Sequence, residues 1–329
     1  MNIYILDKSL NVVLPVGQQF KSFLWSEGYN TMQSFTLELV AKDEYKKLIK
    51  PDFYVWREDR LTIGIIKSIE VKGTSMVLTG KQAIRELEDV AFVGTAETDG
   101  KATTAIRYAY NETSHYPKFS ISVGSARDVY DHQISNKSML DLITIICKEC
   151  DIGYKCTFSG AGSKINIGFY KPSQDPNLVF SELIGNLNDV GVSFSRETYK
   201  NYAIVLGEGE GENRKRAVVD KTNGGDRFEL LIDARDLQMN EGETEAEYMA
   251  RLEARGTEEL LSYQETLNCA FSVLAVDFGS KYDVGDIVTM NLPDYELQLV
   301  ARVTSFTEKA QNNVSKITIE VGNVAMRRL

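Results

Sequence analysis

Cys147, Cys150 and Cys156 form the tightest cluster of metal-capable side chains in the sequence. The first two have the spacing that zinc favours, and a tetrahedral site would draw its fourth ligand from Cys269, His115 or His132. A structural zinc site normally supplies two paired-ligand elements, and the pattern around Cys147 is helical. The competing reading is of buried cysteines acting as small hydrophobes. A Cys–His nucleophile would instead need its cysteine at a helix N-terminus, where a thiolate is stabilised. Cys147 falls in the second or third turn of its expected helix, and His132 precedes it in a polar loop, so nothing local orients the pair. The sequence has only 2 histidines, which removes most zinc hydrolases. It contains no Gly-x-Ser-x-Gly elbow, no His-Glu-x-x-His and no Gly-x-x-x-x-Gly-Lys-Ser/Thr loop. The expectation is a chain with no catalytic residue, no metal and no cofactor.

Two charged stretches complete the inventory. Gly207-Glu208-Gly209-Glu210-Gly211 has the glycine spacing of a phosphate loop, but its glutamates would repel phosphate. It reads as an exposed hairpin leading into Arg214-Lys215-Arg216, a basic triplet too short for a nucleic-acid patch. The stretch from Glu241 to Glu265 carries eight glutamates against Arg251 and Arg255. It reads either as a solvated helix face or as a surface that must not adsorb anionic polymers.

The elements that would position these residues are mostly strands. Period-two alternation puts Phe35, Leu37 and Leu39 on one face. The same pattern groups Leu61, Ile63 and Ile65, then Ile165, Ile167 and Phe169. It recurs in Val190, Val192 and Phe194, in Tyr202, Ile204 and Leu206, and in Ile317, Ile319 and Val321. Turn signals lie at Lys72-Gly73, Gly160-Ala161-Gly162, Asn223-Gly224-Gly225 and Gln311-Asn312-Asn313. Helices are the minority. Ser138 and Asp141 open one that runs to Cys150, and Thr244 and Glu247 open a second, interrupted by Gly256. Shorter helices are expected over Lys81 to Leu87 and Thr103 to Tyr110. The fold class is α+β, predominantly antiparallel β, with segregated elements.

Composition fits this picture. The chain has 329 residues, which at about 150 residues per domain gives about two domains. Hydrophobic residues make up 43% and charged residues 26%, ordinary for a folded chain that needs no disulfide scaffold. A net charge of −10 argues against gripping nucleic acid by neutralising phosphates. No run of 18 apolar residues occurs, and no basic leader precedes Asp7, so neither membrane insertion nor a signal peptide is expected. Boundaries are expected near Val90 to Gly100, in Lys171-Pro172-Ser173-Gln174-Asp175-Pro176, and near Asn268.

The C-terminal stretch is the most telling. Tyr282-Asp283-Val284-Gly285-Asp286-Ile287-Val288 precedes Arg302-Val303 and Lys316-Ile317-Thr318-Ile319-Glu320-Val321-Gly322. Gly285 and Asp286 supply a tight turn into a strand, and Tyr282, Gly285 and Asp286 are the candidate structural turn. This layout resembles the closing barrel of tailed-phage tail proteins, including baseplate hubs of the T-even and VgrG type. The opening Asn2-Ile3-Tyr4-Ile5-Leu6-Asp7, then Phe23-Leu24-Trp25, Tyr54-Val55-Trp56-Arg57 and Leu78-Thr79-Gly80-Lys81 resemble the siphovirus ReqiPepy-type tail protein family in order. Val179-Phe180-Ser181, Asn201-Tyr202-Ala203-Ile204-Val205-Leu206-Gly207 and Arg227-Phe228-Glu229 continue the resemblance over nearly the whole chain. The run after Leu87 departs from it, with Glu88-Asp89-Val90-Ala91 where relatives are richer in arginine.

The resemblance implies two tail-tube-like β-barrel modules with an inserted mixed α/β region. Its expected divisions are an N-terminal barrel over 1–90 and a mixed domain over 91–176. A strand-rich segment with the acidic helix follows over 177–267, then a C-terminal meander over 268–329. It further implies a non-enzymatic homotrimer that closes the distal tail tube and adapts sixfold to threefold symmetry. The implied partners are the tail tube protein, a distal tail or baseplate ring protein and the tape-measure protein, with DNA passing through the lumen unbound. The implied place is the virion tail tip, after synthesis in the host cytoplasm. Two other functions compete. One is a tail-associated cell-wall hydrolase, for which the residues after the meander are expected to leave no room. The other is a receptor- or saccharide-binding tip that would use the 16 tyrosines and 14 phenylalanines.

Overall fold

The strand Ser22–Gly28 pairs antiparallel with both Ser34–Val40 and Leu297–Gln311, so the two ends of the chain share one sheet. The computed structural model describes residues 1–96, 100–113, 118–122, 129–130, 134–160, 162, 164–273, 278–312 and 314–328. It divides into two units: Met1–Gly191 with Cys269–Leu329, and Val192–Asn268.

In the first unit, Ile3–Leu6 lies between Val12–Gly17 and Tyr54–Arg57, and the path continues through Thr62–Lys72, Ser75–Gln82, Ser34–Val40 and Ser22–Gly28. Leu297–Gln311 then leads into Val314–Arg328 as a long hairpin. Two branches leave this path. Gly153–Thr157 joins Thr62–Lys72 through a single register pair, Thr62 with Thr157, and carries Ile165–Tyr170 and Phe119–Ser122. Ile287–Leu292 flanks Leu297–Gln311 and carries Gln174–Ser181. The fold is strand-rich and mostly antiparallel, as expected. Parallel pairs occur at Phe119–Ser122 with Ile165–Tyr170 and at Gln174–Ser181 with Ile287–Leu292. Among the described residues Val12–Gly17, Phe119–Ser122 and Gln174–Ser181 each have a single strand partner, and the sheet does not close into a barrel.

Among the described residues of this unit there are three α-helices: α1 (Asp43–Leu48), α2 (Ala102–Glu112) and α3 (Met139–Glu149). Ser138 caps α3, its hydroxyl accepting from Asp141 N at 3.1 Å. The stripe Leu142, Ile143, Ile146 and Cys147 packs with Ala105, Ile106 and Ala109 of α2 against Phe119, Ile165, Ile167 and Phe169. The stretch expected as helix over Lys81 to Leu87 is a 3-10 segment, Ala83–Asp89.

The second unit is a three-stranded sheet with one helix. Tyr202–Leu206 is central, antiparallel to Arg216–Asp220 and parallel to Glu229–Asp233. The helix α4 (Glu245–Leu261) starts in a full capping box, Thr244 with Glu247, and lays Tyr248, Leu252 and Leu260 on Ala203, Val205, Ala217, Val219 and Ile232. Gly256 does not interrupt α4. A Cβ there would stand 2.7 Å from Val205 and 2.8 Å from Val219, so glycine is what lets helix and sheet approach this closely.

Most predicted faces are buried as read: Phe35, Leu37, Leu39, Ile165, Ile167, Phe169, Ile317 and Ile319 all lie in the core. Three readings are corrected. Leu61 is exposed, because it ends the turn Glu58–Arg60 in a left-handed conformation (φ 56°) rather than joining Ile63 and Ile65. Phe194 is 54% exposed, so its strand alternates without a covered face. In Tyr202–Leu206 the face under α4 is Ala203 and Val205, not Tyr202, Ile204 and Leu206. The close approach of helix to sheet explains this: only small or β-branched side chains fit beneath α4.

Candidate functional site

The predicted turn lies at the centre of a buried ionic junction in the first unit. Asp286 shapes it, its carboxylate accepting from Asp283 N at 2.8 Å and from Ser173 N at 2.7 Å. Asp283 accepts in turn from Val284 N at 2.7 Å. Gly285 adopts φ +98°, its N–H donates to Val303 O, and its carbonyl accepts from Arg302 at 2.8 Å. The Tyr170 hydroxyl donates to Val284 O at 2.6 Å. Tyr282 is buried, edge-on to Phe180 and Phe278 with ring centroids 5.0 and 5.5 Å away.

Arg60 joins this turn to the opposite end of the sequence. Its guanidinium makes a two-point contact with Glu27, at 3.0 and 3.2 Å, and reaches Asp283 at 3.3 Å. Glu27 also accepts from the Trp25 indole at 3.0 Å. Lys155 pairs with Asp283 from the other side. The guanidinium carbon lies 4.6 and 4.9 Å from the ring centroids of Phe278 and Phe306, which stack on each other at 4.2 Å. Each charge has a geometrically matched partner, which a buried ion needs to be tolerated. Burial opposes the charge of Arg60, but Glu27 and Asp283 outweigh it and hold its pKa above the ordinary value.

Burial likewise pushes the Asp283 carboxyl up, and Lys155 and Arg60 more than offset this, leaving it below the usual carboxylate range. A carboxylate of lowered pKa stabilises the fold fully above its unfolded pKa of about 3.9, and that contribution is lost as pH falls through the lower folded value. Unfolding in urea is therefore expected to show a flat stability from pH 7 to 5 for this term and a decline below about pH 4. The variant Asp283→Asn is expected to flatten that acid limb; an unchanged limb would assign it to other carboxylates.

Gly285 is constrained twice. Its φ disfavours any side chain, and a Cβ would stand 2.6 Å from the Tyr29 ring and 3.2 Å from the Tyr170 hydroxyl. Gly285→Ala is expected to destabilise by about 1–3 kcal/mol, read as a lower urea midpoint at unchanged slope.

The chemistry this junction can perform is bracing. The space between Glu27, Thr62, Lys155, Tyr170 and Val284 is a cavity of about 20 Å³, room for about one water and not for a substrate. A second buried pair reinforces the neighbouring strands. Arg57 contacts Asp59 at 2.8 and 2.9 Å and Glu308 at 2.5 Å.

Among the described residues the cysteine candidates are not gathered into a metal-holding group. Cys147 is buried on α3, where burial pushes its thiol up and away from the reactive thiolate. Cys150 caps that helix and Cys156 sits on Gly153–Thr157. His115 and His132 lie outside the described residues, as does the side chain of Cys269. Among the described residues no group of three His, Cys, Asp or Glu side chains is placed to hold a metal. No helix among them is long and apolar enough to cross a membrane. The glycine–glutamate run forms the hairpin that was expected, with Arg214 donating to Gly207 O and Leu206 O and pairing with Asp233.

Residue-type reasoning missed Glu27, Arg60, Lys155 and Glu308. A signal was present for two of them. Glu27 continues the inward row Phe23, Trp25, and Glu308 lies between Phe306 and Ala310 on another inward row; a charge on such a row needs a buried counter-ion.

Over residues 2–323 the sequence matches the profile of the family described as Siphovirus ReqiPepy6 Gp37-like protein. No curated protein matches it. Among solved structures, the fold is similar to the 43 kDa tail protein of prophage MuSo2 from Shewanella oneidensis. The TM-score is 0.62 at 13% identity, over 98% of each chain. It is similar to the tail protein from Neisseria meningitidis MC58, with TM-score 0.62 at 10% identity over 98% of this chain and 96% of that one. A chain of the phage P2 baseplate in its activated conformation with Ca has TM-score 0.55 at 10% identity, over 98% of this chain and 99% of that one. At these identities the likeness is one of fold.

Proposed function

The chain belongs to the Siphovirus ReqiPepy6 Gp37-like protein family, and on that premise we propose that it is the structural hub of a phage tail tip or baseplate. In this reading it is a homotrimer that closes the distal tail tube and adapts sixfold to threefold symmetry. Each chain contributes two tube-like barrel modules, organised over 1–90, 91–176, 177–267 and 268–329, and sheets are completed by neighbouring chains. Its partners are the tail tube protein, a distal tail or baseplate ring protein and the tape-measure protein. It works in the virion tail after synthesis in the host cytoplasm, and DNA crosses its lumen without specific binding.

The observation that supports this best is the open strand path. Val12–Gly17, Phe119–Ser122 and Gln174–Ser181 each pair with one strand among the described residues, and strand margins of this kind pair readily with another chain. The ionic junction serves such a wall, since it ties Glu27, Arg60, Lys155 and Asp283 together around no substrate-sized space. Copy number per particle tests the reading. Quantitative mass spectrometry of purified tails is expected to give three copies; six would make this a ring protein. A lytic band in a cell-wall zymogram, lost on mutating Cys147, would replace the structural reading with a hydrolase.

A further inference from the structure

The sheet of the second unit has one covered and one bare face. With Ala203, Val205, Ala217, Val219 and Ile232 beneath α4, strand alternation turns Ile204, Val218 and Leu231 to the other side. The pairing register sets these three in one row across the sheet, Val218 to Ile204 to Leu231. Leu231 is 67% exposed and Val218 37%, and Tyr202 and Leu206 flank Ile204 on the same face. At the Leu206 end opens a pocket of about 620 Å³ lined by Glu210, Arg214, Arg216 and Arg235. Arg214 and Arg235 share Asp233, while Arg216 is exposed with no carboxylate partner among the described residues.

The outer side of α4 is the complement of this face. Ala246, Ala250 and Ala254 follow one another at four-residue spacing, all exposed, with Leu261 70% exposed at the end of the helix. Glu253 and Glu258 lie on the same side. They have no cationic partner among the described residues, whereas Glu243, Glu245 and Glu259 pair with Arg251, Lys215 and Arg255. Among the described residues the unpaired charges on the outer side of the helix are thus acidic, while Arg216 stands unpaired at one end of the sheet face and Asp220, at the other end, accepts from Thr222 N at 2.8 Å. Small side chains let a helix seat closely on an apolar sheet, as the inner face of α4 already does at Gly256.

We propose that the bare sheet face is a subunit interface, covered by the alanine and glutamate stripe of α4 from a neighbouring copy of the chain. The two surfaces lie on opposite faces of one helix-on-sheet unit, so the contact is head-to-tail, the kind that builds rings. Threefold closure of that ring rests on the hub reading above.

Cysteine cross-linking of the full chain tests it. A chain carrying Leu231→Cys is co-expressed with one carrying Ala246→Cys, Ala250→Cys or Ala254→Cys, then oxidised, with the unmodified chain as control. At least one combination is expected to give a covalent heterodimer that neither variant forms alone. Arg216→Glu is expected to lower the yield at least tenfold, and adding Glu253→Arg with Glu258→Arg is expected to restore it, which a merely unstable variant would not do. Sedimentation of the same samples separates the two readings. A trimer that cross-links at none of the three positions overturns this interface and leaves the hub standing. A cross-linked species that never reaches three copies supports the interface and overturns the threefold hub. Monomers without cross-links overturn the interface.

Discussion

Arg60→Ala is expected to lower the stability of the first unit by about 3–5 kcal/mol, the cost of removing one partner from a buried ion pair. The guanidinium is the only described cation on Glu27, whose side chain is 7% exposed, and its loss leaves that carboxylate in the core with the Trp25 indole. It also strips the charge from over Phe278 and Phe306. A unit of this size loses about 2–4 °C per kcal/mol, so the melting temperature should fall by roughly 6–20 °C. Arg60→Lys is expected to recover little, because an ammonium cannot make the two-point contact with Glu27 and still reach Asp283. Arg60→Met combined with Glu27→Gln should cost less than Arg60→Ala alone, since no charge at position 27 remains buried. Thermal melts of the four proteins check this. A shift under 2 °C for Arg60→Ala would show that the junction is a bystander.

Leu252→Ala is expected to loosen the second unit by about 2–5 kcal/mol. Leu252 is fully buried in a core of few residues and contacts the strand end, where a Cβ on Gly207 would stand 2.8 Å from it. A unit this small has about 4–11 kcal/mol to lose. Hydrogen exchange should report the change locally. Amides in Tyr202–Leu206 and Glu245–Leu261 are expected to exchange roughly 30-fold faster or more, at tenfold per 1.4 kcal/mol. Amides in Ser34–Val40 should keep their protection. Leu261→Ala on the same helix should change little, because that side chain faces outward. Equal effects from the two substitutions would contradict the assignment of inner and outer faces.

The second unit also shows where reading by periodicity reaches its limit. Alternation located the strand Tyr202–Leu206 correctly and grouped Tyr202, Ile204 and Leu206 as its apolar face. Burial went to Ala203 and Val205, since Gly256 brings α4 too close for bulkier side chains. The caps were legible because capping is local. Ser138 with Asp141 and Thr244 with Glu247 each act within four residues, and both occur as read. Leu61 was misread because it closes the turn Glu58–Arg60 between Tyr54–Arg57 and Thr62–Lys72, and alternation with Ile63 and Ile65 does not mark where the turn ends and the strand begins.

Local chemistry therefore determined the strand-rich α+β class, the helix starts, the turn residues Gly285 and Asp286 and the lack of a recognisable reactive motif. All of these depend on side-chain alternation, backbone permissiveness and hydrogen bonds spanning a few residues. Tertiary structure alone decided which face of each strand is covered, and that Glu27, Arg60, Lys155 and Asp283 meet. Those four residues are brought together by the pairing of Ser22–Gly28 with Leu297–Gln311 and of Thr62 with Thr157, and a buried charge selects its partner by distance in space rather than in sequence.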